Sequence, residues 1–193
     1  PCLLSLIASI PVGRAQTGAS PFVSGAWSGN VTPTSATVCI RLNAAGQRVR
    51  LAVSASEQLS APLFSDAATS AATAGNVVAL DIAGLQANTD YYYAVEVAGV
   101  LRPEQMSRGH FRTFPPGASS FKLALIGDGD YRDPDHRVYD EVLEEKPLLL
   151  LFNGDLHYSD LNTTNADDYR GAYDNILRHP VQGRMFRGVP IAY

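Results

Sequence analysis

Two apolar runs that each end in a small residue followed by aspartate constrain the fold of this chain most strongly. Residues 122–128 read Lys-Leu-Ala-Leu-Ile-Gly-Asp, and residues 148–155 read Leu-Leu-Leu-Leu-Phe-Asn-Gly-Asp. Between them, residues 136–146 carry a stripe of apolar side chains at helical spacing, formed by Val138, Tyr139, Val142 and Leu143. A strand, a helix and a strand at this spacing form a crossover unit, which produces two parallel strands in one sheet.

The two aspartates that follow these strands are predicted to converge. Asp133 and Pro134 suit the N-cap and first turn of the intervening helix, and Pro147 ends it. Because parallel strands bring their carboxyl ends to the same edge of a sheet, Asp128 and Asp155 should lie together where α/β sheets bind ligands. Two carboxylates held together repel each other unless a cation lies between them. The pattern therefore predicts half of a metal site.

The composition is that of a soluble globular protein, with 46% hydrophobic and 18% charged residues in a chain of 193. The formal net charge is -4, and no run of Lys and Arg is present. A polymeric nucleic acid is therefore disfavoured as a partner, whereas a small phosphate ester is compatible with this charge.

The N-terminus resembles the end of a secretory signal peptide. Residues 2–10 are apolar, Pro11 and Gly13 interrupt the run, and Ala15 suits a cleavage site. We therefore interpret residues 1–15 as the remnant of a signal, and the protein as secreted or periplasmic; a buried strand or helix is the alternative. The run is shorter than the ~20 residues of a membrane span. Removal of the signal would leave Cys39 without a partner for a disulfide.

Residues 21–115 are predicted to form an all-β domain. Several short runs are rich in β-branched and aromatic residues and are separated by Gly, Asn, Pro and Ser. The predicted strands cover residues 37–42, 48–53, 76–82, 91–97 and 110–114. Regular alternation in several of these runs indicates half-buried strands, and their number favours a sandwich.

A local motif makes the sandwich more specific. Leu85, Thr89 and Tyr91 have the spacing of the tyrosine corner in fibronectin type III-like domains, where the tyrosine hydroxyl bonds to the backbone of the preceding turn. Ala87 stands where such corners usually carry proline. Trp27 is a further core residue in this interpretation. Residues 21–115 are thus predicted to be a fibronectin type III-like β-sandwich that has no catalytic activity of its own.

After Pro115 and Pro116, residues 119–193 are predicted to form an α/β segment. Its second helix has an N-cap at Asn165 and an apolar face formed by Tyr169, Ala172, Tyr173, Ile176 and Leu177. Residues 189–193 begin a third strand. So small a parallel sheet buries both of its faces poorly, so the sequence is expected to end within this domain.

The acidic residues after the first strand admit other interpretations. Gly127 and Gly129 suggest a dinucleotide loop, but the glycine pattern is incomplete and carboxylates would repel a pyrophosphate. A calcium loop is suggested by four carboxylates, Asp128, Asp130, Asp133 and Asp135, but this run lacks the later glycine and the terminal glutamate of an EF-hand. A solvated acidic loop is the third possibility. The second Gly-Asp pair, at the end of the next strand, favours the metal site.

The block Gly154-Asp155-Leu156-His157-Tyr158 resembles the G-D-x-x-Y motif of binuclear metallophosphoesterases. Purple acid phosphatases and alkaline phosphatase D-like enzymes carry this motif after an N-terminal β-domain. The sequence of residues 187–193, Arg-Gly-Val-Pro-Ile-Ala-Tyr, is similar to the strand that precedes a D-D-H-D block in the alkaline phosphatase D-like enzymes. The resemblance covers nearly all of the chain after residue 15.

The resemblance implies roles for individual residues. Asp155 would bridge two metal ions, and Tyr158 would bind the ferric ion. Asp128 would occupy the position of the first aspartate of purple acid phosphatases, although alkaline phosphatase D-like enzymes often have Ser-Cys there. Asp130 would be either a further metal ligand or a hydrogen-bond acceptor for one of the ligands. The fold class implied is a fibronectin type III-like β-sandwich followed by the truncated start of an α/β metallophosphoesterase domain.

The implied activity is hydrolysis of phosphate mono- or diesters by metal-activated water. Two metal ions, iron plus calcium, zinc or manganese, would neutralise the phosphate and lower the pKa of a bound water. The histidines that the resemblance requires lie beyond Tyr193, so the 193-residue chain itself is expected to be inactive. The alternatives are a fibronectin-type binding module with an inert α/β extension, and a metal-dependent nucleotidase or nuclease with the same core.

Overall fold

The computed structural model describes residues 19–102, 104–129 and 132–193. The predicted signal remnant and Asp130 lie outside these residues. In the described part of the chain no helix is both long and apolar enough to cross a membrane.

Nine short strands make up the first part of the chain. In chain order they are β1 (Trp27–Gly29), β2 (Ser35–Arg41), β3 (Arg48–Ser54), β4 (Leu63–Phe64), β5 (Ala68–Thr69), β6 (Val77–Ala83), β7 (Asp90–Val97), β8 (Val100–Leu101) and β9 (Arg108–Arg112) among the described residues. One antiparallel sheet has the order β1-β2-β6. In the other, β3 and β7 form the centre, β4 and β5 pair with β3, and β8 and β9 pair with β7. The five strands predicted from the sequence are confirmed within two residues at each end.

The two sheets enclose one apolar core. Alternate residues of β2 and β6 point inward, as the burial of Val38, Ile40, Leu80 and Ile82 shows. The opposing sheet contributes Leu51, Val53, Tyr93, Val95 and Phe111 to the same cluster. This period-two pattern is the physical basis of the sandwich, because successive side chains of a strand face opposite sides.

The predicted tyrosine corner is present. The backbone N–H of Gln86 donates a hydrogen bond to the Tyr91 hydroxyl at 2.9 Å. Leu85 and Tyr91 are both buried in the sandwich core. The phenol ring thus packs inside the core while its hydroxyl accepts a backbone N–H of the turn. Ala87 replaces proline without loss of the corner.

The second part of the chain contains a parallel sheet and three helices. Its elements are β10 (Leu123–Ile126), α1 (Val138–Glu144), β11 (Leu149–Phe152), α2 (Ala166–Leu177), α3 (Gln182–Gly188) and β12 (Ile191–Ala192). The strands pair in parallel in the order β10-β11-β12, with Leu123 opposite Leu149 and Ile126 opposite Phe152. Leu150 and Phe152 are buried beneath the helices together with Ile176, Met185 and Phe186.

The helix boundaries agree only partly with the predictions. Asn165 caps α2 as predicted, since its side-chain oxygen accepts the backbone N–H of Asp167 at 3.1 Å. The prediction for α1 is wrong, because the helix begins at Val138 rather than near Pro134. The ring nitrogen Nδ1 of His136 accepts the N–H of Val138 at 3.1 Å and so satisfies a donor of the first turn.

The α/β part packs on the edges of the sandwich. Helix α3 contacts β1 and β9, each of which lies at one edge of its sheet among the described residues. The Tyr93 hydroxyl lies 3.4 Å from the carbonyl oxygen of Arg187, and His110 Nδ1 lies 3.3 Å from that of Gly188. Trp27 was predicted to be in the sandwich core, but it packs on the apolar cluster of the α/β part.

A charged contact also joins the two parts. The Arg41 guanidinium on β2 pairs with the Asp174 carboxylate on α2, and both side chains are largely buried. Arg41 Nε also donates to the carbonyl oxygen of Gly75 at 2.9 Å. Because removal of one partner would leave a buried charge unpaired, this contact fixes α2 on the sandwich.

Candidate metal centre

The carboxyl ends of β10 and β11 lie side by side, as the parallel register requires. The backbone N–H of Asp155 donates to Asp128 Oδ1 at 3.2 Å, and the N–H of Gly129 donates to the carbonyl oxygen of Asp155 at 2.7 Å. The two Gly-Asp turns are thus cross-linked by hydrogen bonds in both directions. The structure brings Asp128 and Asp155 together at the sheet edge.

Glycine at position 154 makes this approach feasible. A Cβ atom on Gly154 would overlap the Gly127 carbonyl group, and it would lie 2.8 Å from Asp128 Oδ1. The φ angle of Gly154 is not in the left-handed region, so space rather than backbone conformation demands glycine. Gly127 is different, because a Cβ there would meet open space.

The four residues that follow Gly154 are exposed at the two ends of this run and anchored in the middle. Asp155 and Tyr158 are exposed, whereas Leu156 is buried in the apolar cluster of the α/β part. His157 is half-buried, and its ring stands perpendicular to that of Tyr173 at a centroid distance of 4.9 Å. The guanidinium of Arg132 lies 6.0 Å from the centre of the Tyr158 ring.

The ligands predicted from the sequence have the chemistry that a hard cation needs. Asp128 and Asp155 would offer carboxylate oxygens and Tyr158 a phenol oxygen, which hard divalent and trivalent ions prefer. Asp128 already accepts the N–H of Asp155 with one oxygen, which orients the carboxylate. In the part of the chain that the structure describes, no group of three or more His, Cys, Asp or Glu side chains could hold a metal ion. Asp130, the further ligand suggested by the sequence, lies outside the described residues.

The four histidines of the chain lie in separate surroundings. His110 Nε2 lies 3.0 Å from the Asp90 carboxylate in the sandwich, and His136 lies at the start of α1. His179 follows α2, where its Nδ1 accepts the N–H of Val181 at 3.4 Å. Only His157 lies within the Gly-Asp loops.

A buried polar pair beneath the loops was missed by the sequence interpretation. Gln182 is fully buried, and its Nε2 donates to the Tyr139 hydroxyl at 3.0 Å. A Cβ on Gly129 would lie 3.4 Å from the same nitrogen. Gln182 lies on α3, a short helix without an N-cap side chain, so no local signal marked it.

Phenols near the interface of the two parts have raised pKa values. Burial raises the pKa of Tyr93 well above its ordinary value, because the phenolate would lose its hydration. Burial also raises the pKa of Tyr173, and its hydrogen bond with Tyr193 adds to this effect. Both groups therefore stay neutral and serve as packing and hydrogen-bonding elements.

The fold of a solved structure is similar to that of most of this chain. A solved structure of PhoD has a TM-score of 0.70 with this chain at 18% identity, over 92% of this chain and 39% of that chain. At this level of identity the likeness establishes the fold alone. This chain spans about two fifths of the length of the PhoD chain.

Smaller β-domains match less well. The fn3 domain of the human collagen alpha-1(XX) chain has 17% identity and a TM-score of 0.37, over 55% of this chain and 93% of that chain. The sensor domain of the anti-sigma factor RsgI4 from Pseudobacteroides cellulosolvens has 16% identity and a TM-score of 0.37, over 51% and 99%. These scores are too low to establish a shared fold.

The sequence itself matches one protein family. Among curated proteins no sequence matches this chain significantly. The profile of the family described as "PhoD-like phosphatase, N-terminal domain" matches residues 7–115. This match covers more than half of the 193 residues and agrees with the resemblance drawn from the G-D-x-x-Y block. The chain therefore belongs to the PhoD-like phosphatase N-terminal domain family.

Proposed function

We propose that this chain forms the N-terminal part of a secreted or periplasmic, metal-dependent phosphoesterase that hydrolyses phosphate mono- or diesters. The hydrogen-bonded approach of Asp128 and Asp155 at the sheet edge carries the proposal. Membership of a phosphatase family and similarity of fold to PhoD support it. Residues 119–193 then form the beginning of the metallophosphoesterase domain, with further ligands contributed by the rest of the enzyme.

The proposal gives the first domain a supporting role. Residues 21–115 form a fibronectin type III-like sandwich, whose edge strands hold α3 and whose Arg41 holds α2. His157 packs against Tyr173 of α2, the helix that Arg41 of the sandwich holds through Asp174. Residues 1–15 belong to an export signal in this proposal.

Asp128, Asp155 and Tyr158 are the metal ligands in this proposal. Two metal ions, iron plus calcium, zinc or manganese, would supply an activated water and neutralise the charge of the phosphate. Asp155 would bridge the ions, and Asp128 would contribute a carboxylate oxygen that is oriented by the N–H of Asp155. The phenolate of Tyr158 suits the trivalent ion, because a hard anionic oxygen prefers a highly charged cation.

The test measures metal binding to the purified chain and activity of the complete enzyme. The chain alone should bind metal ions weakly, with a dissociation constant of about 1 mM, because few oxygen ligands are present. Bound Fe³⁺ should give a visible phenolate-to-iron absorption band, which Tyr158→Phe should abolish. In the complete enzyme, Asp155→Ala should remove both the metal ions and the hydrolysis of a chromogenic phosphate ester.

Asp160→Ala is the matched control, since it removes an exposed carboxylate two residues after Tyr158. This variant should bind metal and hydrolyse the ester like the wild type. Full metal content and activity in Asp155→Ala would contradict the proposed role of the bridging carboxylate.

A further inference from the structure

Two consecutive side chains anchor the segment that carries Asp155 and Tyr158. Leu156 is buried among the helices, and the ring of His157 stands perpendicular to the Tyr173 ring, at an interplanar angle of 89°. His157 Nδ1 is buried and has no hydrogen-bond partner among the described residues. The imidazole is therefore inserted against the helix by ring packing and not by a hydrogen bond at this nitrogen.

The surface that receives His157 is itself fixed. Tyr173 lies in the middle of α2, which is capped by Asn165 at its start. The next residue, Asp174, pairs with Arg41 of the sandwich. The Tyr173 ring is therefore fixed, because the Arg41–Asp174 pair holds its helix on the sandwich and its hydroxyl is hydrogen-bonded with Tyr193.

We propose that His157 is a positioning residue that orients Asp155 and Tyr158 toward the metal ions by packing against Tyr173. This inference rests on the proposed metal site. Asp155 and Tyr158 lie on either side of the two anchored residues, so the contact restricts the conformations open to both ligands. Ligands that are held in place before binding lose less conformational entropy when they bind, and this strengthens binding without a new bond.

The test uses Tb³⁺, a hard trivalent ion whose luminescence is excited through nearby aromatic rings. Titration of the purified chain measures its affinity, and no catalytic activity is needed. Because perpendicular aromatic pairs contribute modestly, His157→Ala should weaken Tb³⁺ binding by about 3- to 10-fold. Tyr173→Ala should weaken it to the same degree.

A double variant separates the contact from independent effects. If both residues act through one contact, His157→Ala combined with Tyr173→Ala should bind Tb³⁺ no more weakly than either single variant. One conservative variant is the matched control. His157→Phe keeps a ring and removes the unpartnered nitrogen, so it should bind like the wild type.

A second readout avoids the metal entirely. In the metal-free chain, amide hydrogen exchange of residues 153–160 should be faster in His157→Ala than in the wild type or in His157→Phe. Amides of the sandwich strands should exchange at unchanged rates, which shows that the variant is folded. Unchanged exchange of residues 153–160 in His157→Ala would overturn the inference.

The outcomes distinguish this inference from the proposed function. If Asp155→Ala binds Tb³⁺ like the wild type, the metal site itself is wrongly assigned. If Asp155→Ala loses binding while His157→Ala retains it, the metal site stands and the positioning role is wrong. Losses that add in the double variant would also overturn the inference, because they would show two independent effects.

Discussion

Substitution of Gly154 by alanine should open the edge of the sheet where Asp128 and Asp155 meet. The new Cβ would lie 2.6 Å from the carbonyl carbon of Gly127 and 2.8 Å from Asp128 Oδ1. Ordinary van der Waals contact begins near 3.4 Å, so the carbonyl carbon alone would have to move by about 0.8 Å, and the Gly127 carbonyl oxygen, which the new Cβ overlaps, would have to move further. Gly127 directly follows β10, and its movement would stretch the hydrogen bonds that cross-link the two Gly-Asp turns.

The expected cost lies at the upper end of the range for overpacking. Such substitutions cost about 1–3 kcal/mol, and we expect about 3 kcal/mol because the obstacle is backbone and not a flexible side chain. For a chain of this length, that corresponds to a decrease in Tm of about 6–12 °C. Tb³⁺ affinity should fall as well, since the Asp128 carboxylate is displaced.

Gly127→Ala is the control for Gly154→Ala. A Cβ at Gly127 would meet nothing within 4 Å, and its φ is not in the left-handed region. Both variants restrict the unfolded chain equally, so this contribution cancels in the comparison. The assay is thermal unfolding followed by circular dichroism, together with Tb³⁺ titration. Equal Tm values for the two variants would refute the close approach of β10 and β11 at this position.

Two further predictions concern the sandwich. Tyr91→Phe should lower the free energy of unfolding by about 1–2 kcal/mol, because it removes the acceptor of the Gln86 N–H; an unchanged urea midpoint would rule out a stabilising corner. Burial raises the pKa of the Cys39 thiol, with the Asp81 carboxylate adding to the effect, and burial raises the pKa of Tyr93. Both groups ionise more readily in the unfolded chain than in the folded protein. Their contribution to the free energy of unfolding is therefore complete below the unfolded pKa values, and it should be lost as the pH rises above about 9. Urea midpoints from pH 7 to pH 11 test this, and a midpoint that does not fall on the alkaline side would contradict it.

Local patterns in the sequence were sufficient for much of the fold. Alternation with a period of two predicted the strands that build the sandwich, and the spacing of Leu85 and Tyr91 predicted the corner. The apolar face and N-cap of α2 were also predicted, because both depend on residues within a few positions of each other. The crossover pattern predicted that Asp128 and Asp155 would meet, since parallel strands leave no other arrangement of their carboxyl ends.

The start of α1 and the existence of α3 were not predicted. Asp133 and Pro134 form a good local start signal for a helix, but the residues before Val138 form turns and bends. The side chain of His136 accepts the N–H of Val138 in the first helical turn instead. Helix α3 contains two glycines and no capping side chain, so its intrinsic propensity is low. It forms because Met185 and Phe186 are buried against the sheet and the sandwich edge.

The sequence alone determined the two-part architecture, the convergence of the two Gly-Asp turns and the resemblance to a phosphatase family, because each rests on short-range periodicity or on a contiguous motif. The tertiary structure decided which surfaces meet. Arg41 and Asp174 are 133 residues apart, and Trp27 packs on the α/β part and not in its own domain. His157 meets Tyr173 of α2, and its neighbour Leu156 is buried in the core beneath the helices. Contacts of this kind depend on the summed packing of distant segments, which no local pattern in the chain encodes.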